Sequence, residues 1–263
     1  MLYLVLNLKD GTPEACAPIT CMRFSVVIPA YNEESYLPRL LKSIAIARAN
    51  YSAGAEQIEV VVADNCSTDA TAEVASAHGA RVVNVAKRRI AAARNGGARA
   101  ATGEILCFID ADSAIHPHTF DEIDRAMKTG RYVWGVTGGR MERMSFPLFI
   151  TYWAFMPMVL LTGLDIGLSF CRREDFEAVD GYDENRLYAE DVKFPWALKR
   201  LGRTRGQRTV RLPKIKALAS TRKFDQFGEW HYFWMLGHAI KSLITWNWHD
   251  EKLAERYWYN PGR

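Results

Sequence analysis

The first half of the chain is built from short unbroken apolar runs, each stopped by a polar residue or proline. Phe24-Ser-Val-Val-Ile28 halts at Pro29, Ile58–Val62 leads to Asp64, Arg81–Val85 follows, and Ile105–Ile109 stops at Asp110. Continuous runs rich in β-branched residues predict strands buried on both faces. Between them the period changes to that of a helix. Leu37, Leu40, Leu41 and Ile44 recur at helical spacing after Asn32-Glu-Glu-Ser, with Pro38 tolerable in the first turn. A second helix is expected from about Ala70, closing at Gly79 as a left-handed cap, and a third, alanine-rich, from Ile90 to Ala101, ending near Gly103. Strand–helix alternation of this kind predicts an α/β fold: a Rossmann-like, mostly parallel sheet flanked by helices.

Past residue 112 the pattern is less regular. Phe146–Leu164 is almost free of charge but interrupted by Pro147, Pro157 and Gly163; it reads as a buried or membrane-surface segment rather than a span. Glu190-Asp191 opens a helix whose apolar positions are expected at Val192, Trp196 and Leu201, with Gly202 as its cap. In the tail, Trp230, Trp234, Trp246, Trp248 and Trp258 crowd together beside Lys241, Lys252 and Arg256. Such a mixture suits a lipid headgroup boundary or a helix packed on the core.

Composition narrows the class. With 263 residues, 49% hydrophobic, the chain can bury a full core, which excludes disorder and a disulfide-stapled miniprotein. A net charge of +4 is too mild for a dedicated nucleic-acid binder. Five cysteines without CxxC spacing indicate neither a disulfide framework nor a zinc cluster; reduced thiols fit a cytoplasmic setting. The apolar start Leu2, Leu4, Val5, Leu6 is broken by Asn7, Lys9 and Asp10, which argues against a secretory signal, and residues 1–21 read as an N-terminal extension before Met22.

The chemistry is suggested by where polar residues fall. Asn32-Glu33, Asp64-Asn65 and Asp110-Ala-Asp112 each follow the carboxyl end of an expected strand, where open α/β sheets bind ligands. Any one of these acids could be a helix cap; three on one rim point to a site. Asp110 and Asp112, at i and i+2, would leave one face of an extended backbone and could share a divalent cation, Mg²⁺ or Mn²⁺, with a ligand's phosphates. Neither GxxxxGK[ST] nor GxGxxG occurs as an alternative phosphate cradle. Lys87-Arg88-Arg89 is a solvated basic face or a phosphate contact, and Arg94 could meet a diphosphate bidentately. Gly96-Gly97 within a helix implies close packing. Glu190-Asp191 is either a helix cap or the source of a general base.

FSVVIPAYNEE, VVADNCSTDAT, AAARNGGARAATGEILCFIDAD and GYDENRLYAEDVKFPWALKRLG, in this order, resemble the successive motifs of family 2 glycosyltransferases, the inverting GT-A type. The resemblance runs from about Phe24 to Gly202. It implies a GT-A fold with a helical C-terminal tail, divided into a nucleotide-sugar-binding half (22–112), an acceptor-binding half (113–220) and a Trp-rich segment (221–263). It also implies non-processive transfer of one sugar from a nucleotide-diphosphate donor, UDP-linked by family habit, to a sugar, lipid-linked or other hydroxyl acceptor. Pro29, Tyr31, Glu33 and Asp64 would hold base and ribose. Asp110, with Ala111, would contact the nucleotide, Asp112 the metal, and Asp191, beside Glu190, would be the base. His231 is a candidate late metal ligand, while His116 and His118 read as helix-start surface residues. Cys66 stands where the family usually has glycine. The QxxRW-type signature of processive synthases is absent, Arg203-Thr-Arg-Gly following instead. The alternatives are a non-catalytic nucleotide-sugar-binding scaffold and a nucleotidyltransferase, although the latter's glycine-rich loop is missing after Ile28. A cytoplasmic location, at the inner face of the membrane if the apolar segments make peripheral contact, completes the expectation.

Overall fold

The computed structural model describes residues 22–162, 165–185, 190–230 and 233. Residues 1–21, His231 and the tryptophans beyond it lie outside the described residues. In chain order the elements are β1 (Phe24–Ala30), α1 (Leu37–Ala49), β2 (Ile58–Asp64), α2 (Thr71–Ala77), β3 (Arg81–Asn84), α3 (Ile90–Ala100), β4 (Ile105–Phe108), α4 (Thr119–Lys128), β5 (Tyr132–Met141), α5 (Phe146–Thr162), β6 (Ser169–Arg172), α6 (Arg173–Ala178), α7 (Glu190–Thr204), β7 (Arg208–Ala219) and α8 (Arg222–Phe227).

They build one seven-stranded sheet in the order β3-β2-β1-β4-β6-β5-β7. The β1–β2, β2–β3, β1–β4 and β5–β7 pairs are parallel; β6 runs antiparallel to both its neighbours. The unbroken apolar runs are explained by the two cores they serve. Val26, Ile28, Val60 and Val62 pack with Leu37, Leu40, Ile44, Phe120 and Ile123 on one side. Val27, Val61, Leu106 and Phe108 face Ala91, Ala98, Phe176, Phe194 and Leu198 on the other. Successive strand side chains point to opposite faces, so a strand covered on both needs apolar residues at nearly every position.

Three expectations are corrected in detail. Asn32-Glu-Glu-Ser does not open α1, which begins at Leu37 with Pro38 in its first turn. In α7 Leu201 packs against the core as expected, but the large side chains buried beside it are Phe194 and Leu198, whereas Val192 and Trp196 are exposed. Gly202 does not cap α7; the helix continues to Thr204, and a Cβ on Gly202 would stand 2.5 Å from Val133 Cγ1. Close packing on β5 explains that glycine, and Gly206, at φ +67°, supplies the left-handed residue. Gly79 is left-handed after α2, as expected. Phe146–Thr162 is a helix containing Pro157, with Leu148 and Thr151 buried but Phe146, Phe149 and Trp153 exposed. Among the described residues no helix is long and apolar enough to cross a membrane.

Candidate active site

Strand order reverses between β1 and β4, which opens a crevice at the carboxyl ends of β2, β1 and β4. Its first wall is formed by the turns after β1 and β2. Ala30 is in register with Asp64, and the Asn65 amide donates to the Ala30 carbonyl at 2.8 Å. Asn32 Oδ1 accepts from the Thr68 amide (2.8 Å), the Glu33 amide donates to Thr71 Oγ1 (2.8 Å), and Glu34 Oε2 accepts from the Ala70 amide (2.9 Å). The two turns are thus zipped by side chain–backbone bonds running both ways. This arrangement requires left-handed backbone at Asn32 (φ +53°) and Cys66 (φ +67°). Glycine adopts that conformation without penalty, and the thiol residue there carries a strain of about 1 kcal/mol. Asp64 is buried and accepts from the Ser67 amide at 3.2 Å. The Tyr31 ring lies under the Arg88 guanidinium, whose Cζ is 4.1 Å from the ring centroid. Pro29 sits within β1, one residue before the turn.

The second wall follows β4, which ends at Phe108, before the acids. Asp110-Ala-Asp112 therefore lies in a turn, closed by the Ser113 amide on the Asp110 carbonyl (3.1 Å), rather than on extended backbone. The expected shared face is corrected accordingly: the carboxylates diverge. Asp110 is exposed and receives Arg94 Nη2 at 3.0 Å; Asp112 is turned inward, with Oδ2 2.9 Å from Arg222 Nε. Burial raises the Asp112 carboxyl above its usual range, opposed by Arg222 and reinforced by the Asp110 charge. Ala111 is buried between them.

Arg94 joins the two halves of the crevice. It is 7% exposed, rises from α3, and donates through Nη1 to Asp191 and through Nη2 to Asp110. The next residue, Asn95, grips the chain that leads to α7. Its Nδ2 donates to the Tyr182 carbonyl (2.8 Å) and to Glu184 Oε1 (2.9 Å), and its Oδ1 accepts from the Tyr182 amide (2.9 Å). Lys87 and Arg99 also hold Glu184. The Asn95 hydrogen bond, with those cations, keeps the Glu184 carboxyl below its usual range. Tyr182 stacks on Phe194 at 4.1 Å between centroids, seating the first turn of α7. Glu190 begins that helix; its side chain lies outside the described residues.

Arg222 has no sequence signal of its own. It begins α8, after β7, and both its Nη atoms meet the carboxylate of Glu33 at 2.6 Å. Its Cζ lies 4.7 Å over the Tyr36 ring. Glu33, expected at the base or ribose, is thus buried under an arginine. Only a fold that returns the chain across 189 positions could reveal that pairing.

Arg94 thus joins Asp110 to Asp191, Arg222 joins Asp112 to Glu33, and Asp64 ends the strand paired with β1. Among the described residues no three His, Cys, Asp or Glu side chains converge on one point. A hard cation such as Mg²⁺ or Mn²⁺ needs only one or two protein carboxylates when diphosphate oxygens complete its shell, so the oxygen donors of Asp112, with Asp110 beside it, fit one. His116 and His118 sit together at the start of α4, ring centroids 5.7 Å apart, as surface residues.

Residues 25–149 match the model of Glycosyl transferase family 2. Validoxylamine A glucosyltransferase of Streptomyces hygroscopicus subsp. limoneus is 40% identical over 92 residues, 33% of this chain and 19% of that protein. Poly(ribitol-phosphate) beta-N-acetylglucosaminyltransferase TarS of Staphylococcus aureus is 32% identical over 107 residues, 38% of this chain and 18% of that protein. The match thus spans about a fifth of each relative. The crystal structure of TarS 1–349 in complex with UDP-GlcNAc superposes with a TM-score of 0.61 at 22% identity, covering 76% of this chain and 59% of that one. Glucosyl-3-phosphoglycerate synthase from Mycobacterium tuberculosis, in complex with Mn²⁺, UDP and glucosyl-3-phosphoglycerate, superposes at 0.55 with 25% identity, covering 79% of this chain and 75% of that one. The sheet is therefore that of the GT-A glycosyltransferases.

Proposed function

We propose that the chain, whose residues 25–149 match glycosyl transferase family 2, is an inverting, metal-dependent member of that family. It moves one sugar from a nucleotide-diphosphate donor, UDP-linked as in the TarS and glucosyl-3-phosphoglycerate synthase complexes, to a hydroxyl acceptor. The observation that carries this reading is Arg94, a single buried guanidinium shared by Asp110 on one side of the crevice and Asp191 on the other.

Each residue then has a physical task. Tyr31 offers a stacking face and Asp64 an acceptor for nucleoside donors at the wall they share. Negative charge grows on the departing diphosphate as the sugar–phosphate bond breaks, and the fixed charge of Arg94 stabilises it. A divalent ion held at Asp112 would supply Lewis-acid stabilisation of the same oxygens. Asp191 receives the acceptor's proton as the new bond forms. A carboxylate is too weak a base to ionise a hydroxyl beforehand, and a concerted transfer does not ask it to. Attack on the face opposite the diphosphate inverts the anomeric centre in one displacement, through an oxocarbenium-like transition state. Exposed Phe146, Phe149 and Trp153 on α5 support an acceptor with a lipid portion, met at the inner face of a membrane.

Incubation with a panel of UDP- and GDP-sugars, with Mn²⁺ and with EDTA, tests the reading. Sugar release or transfer that EDTA abolishes is expected for at least one donor. Donor binding without turnover under any condition would leave a nucleotide-sugar-binding scaffold instead.

A further inference from the structure

We propose that Arg222 is a resident counter-cation of Asp112 that makes the divalent ion and the donor diphosphate bind as a unit instead of separately. The inference rests on the reading of Asp112 as the metal-holding acid and goes beyond it.

Three features of Arg222 carry it. The guanidinium is fixed: both Nη atoms are committed to Glu33 at 2.6 Å, and the plane covers Tyr36. Its Nε lies 2.9 Å from Asp112 Oδ2, buried, as an ion pair without hydrogen-bond alignment. Burial opposes the Arg222 charge, and the Glu33 hydrogen bonds and Asp112 more than offset it. The cation is permanent.

The surroundings add to it. Arg39 donates to the Asp112 backbone carbonyl while pairing with Glu142, and Lys223 also acts on the Asp112 carboxylate. A bare divalent ion approaching Asp112 meets a guanidinium already seated on that carboxylate, which Glu33 prevents from leaving. A diphosphate changes the balance, because its negative oxygens offset the ion and Arg222 together. Ion and nucleotide then raise each other's affinity by one common factor, as linkage requires.

The test uses the full chain with Mn²⁺ alone, UDP alone and both, following free hydrated Mn²⁺ by electron paramagnetic resonance and UDP by calorimetry. Wild type should bind Mn²⁺ weakly, and UDP should tighten it by about tenfold or more, a coupling of about 1.4 kcal/mol. Arg222→Gln should tighten Mn²⁺ alone by about tenfold and shrink the UDP enhancement. Arg222→Lys keeps the charge and should stay near wild type. Equal Mn²⁺ affinity with and without UDP in the wild type overturns the inference, and so does an Arg222→Gln protein, folded by its melting curve, that behaves as wild type. Asp112→Asn separates the two levels. Lost Mn²⁺ binding supports the metal reading, and unchanged binding removes that reading and this inference with it.

Discussion

At the scale of single residues, Arg94 and Asp191 define what the crevice can do. A guanidinium 7% exposed between two carboxylates is a preorganised charge, the property the proposed transfer asks of it. Asp191, with 63% of its side chain exposed, keeps room beside that charge for an acceptor hydroxyl. Asp191→Asn preserves shape and removes the proposed base. It should fold and bind donor like the wild type and lose transfer by about a thousandfold, measured as single-turnover sugar transfer. Near-normal transfer would take Asp191 out of the mechanism. The acids of this rim could be found from the sequence because each follows a strand end. Their partners could not. Nothing in the spacing of Arg222 connects it to Glu33, and the divergence of Asp110 from Asp112 depends on β4 stopping at Phe108, a boundary that an apolar run continuing to Ile109 conceals.

At the scale of elements, α3 does two jobs: it packs on the sheet and holds the approach to α7. Gly97 permits the first. A Cβ there would stand 2.5 Å from Val27 Cγ1 and 3.3 Å from Ala63 Cβ. Gly97→Ala gains about 1 kcal/mol of helix propensity and loses more to overpacking, so a net destabilisation of about 1–2 kcal/mol is expected, read as a lower urea midpoint at unchanged slope. The second job depends on Glu184. Its carboxyl is held low by Asn95, Lys87 and Arg99, so its contribution to stability is complete above the unfolded value near 4.3 and is lost as pH falls through the lower folded one. The stability difference between wild type and Glu184→Gln should therefore be present at pH 7 and vanish toward pH 3 in paired urea titrations. The glycine pair was legible as close packing. The buried face of α7 was not, because Val192 and Trp196 fit a helical stripe as well as Phe194 and Leu198 do, and only tertiary contact chooses between them.

At the scale of the whole molecule, one sheet joins the strands before and after residue 112. Its left part was readable as alternating strands and helices. The antiparallel β6 was not, since a four-residue segment such as Ser169–Arg172, with only Phe170 and Cys171 buried, carries no mark of direction. Within the apolar stretch that starts at Phe146, residues Phe146–Thr162 form α5, whose Phe146, Phe149 and Trp153 are exposed. If that face meets a membrane, the full chain should float with anionic vesicles, and Phe149→Glu with Trp153→Glu should abolish flotation; a wild type that stays at the bottom of the gradient would rule the contact out. The interlocked turns after β1 and β2 have a different consequence. Because Asn32, Glu33 and Glu34 are each stitched to the segment Ser67–Thr71, the wall proposed to receive the nucleoside is preorganised by the protein's own hydrogen bonds. Glu33 clamps Arg222 in turn, so the same mould extends from these turns across to α8.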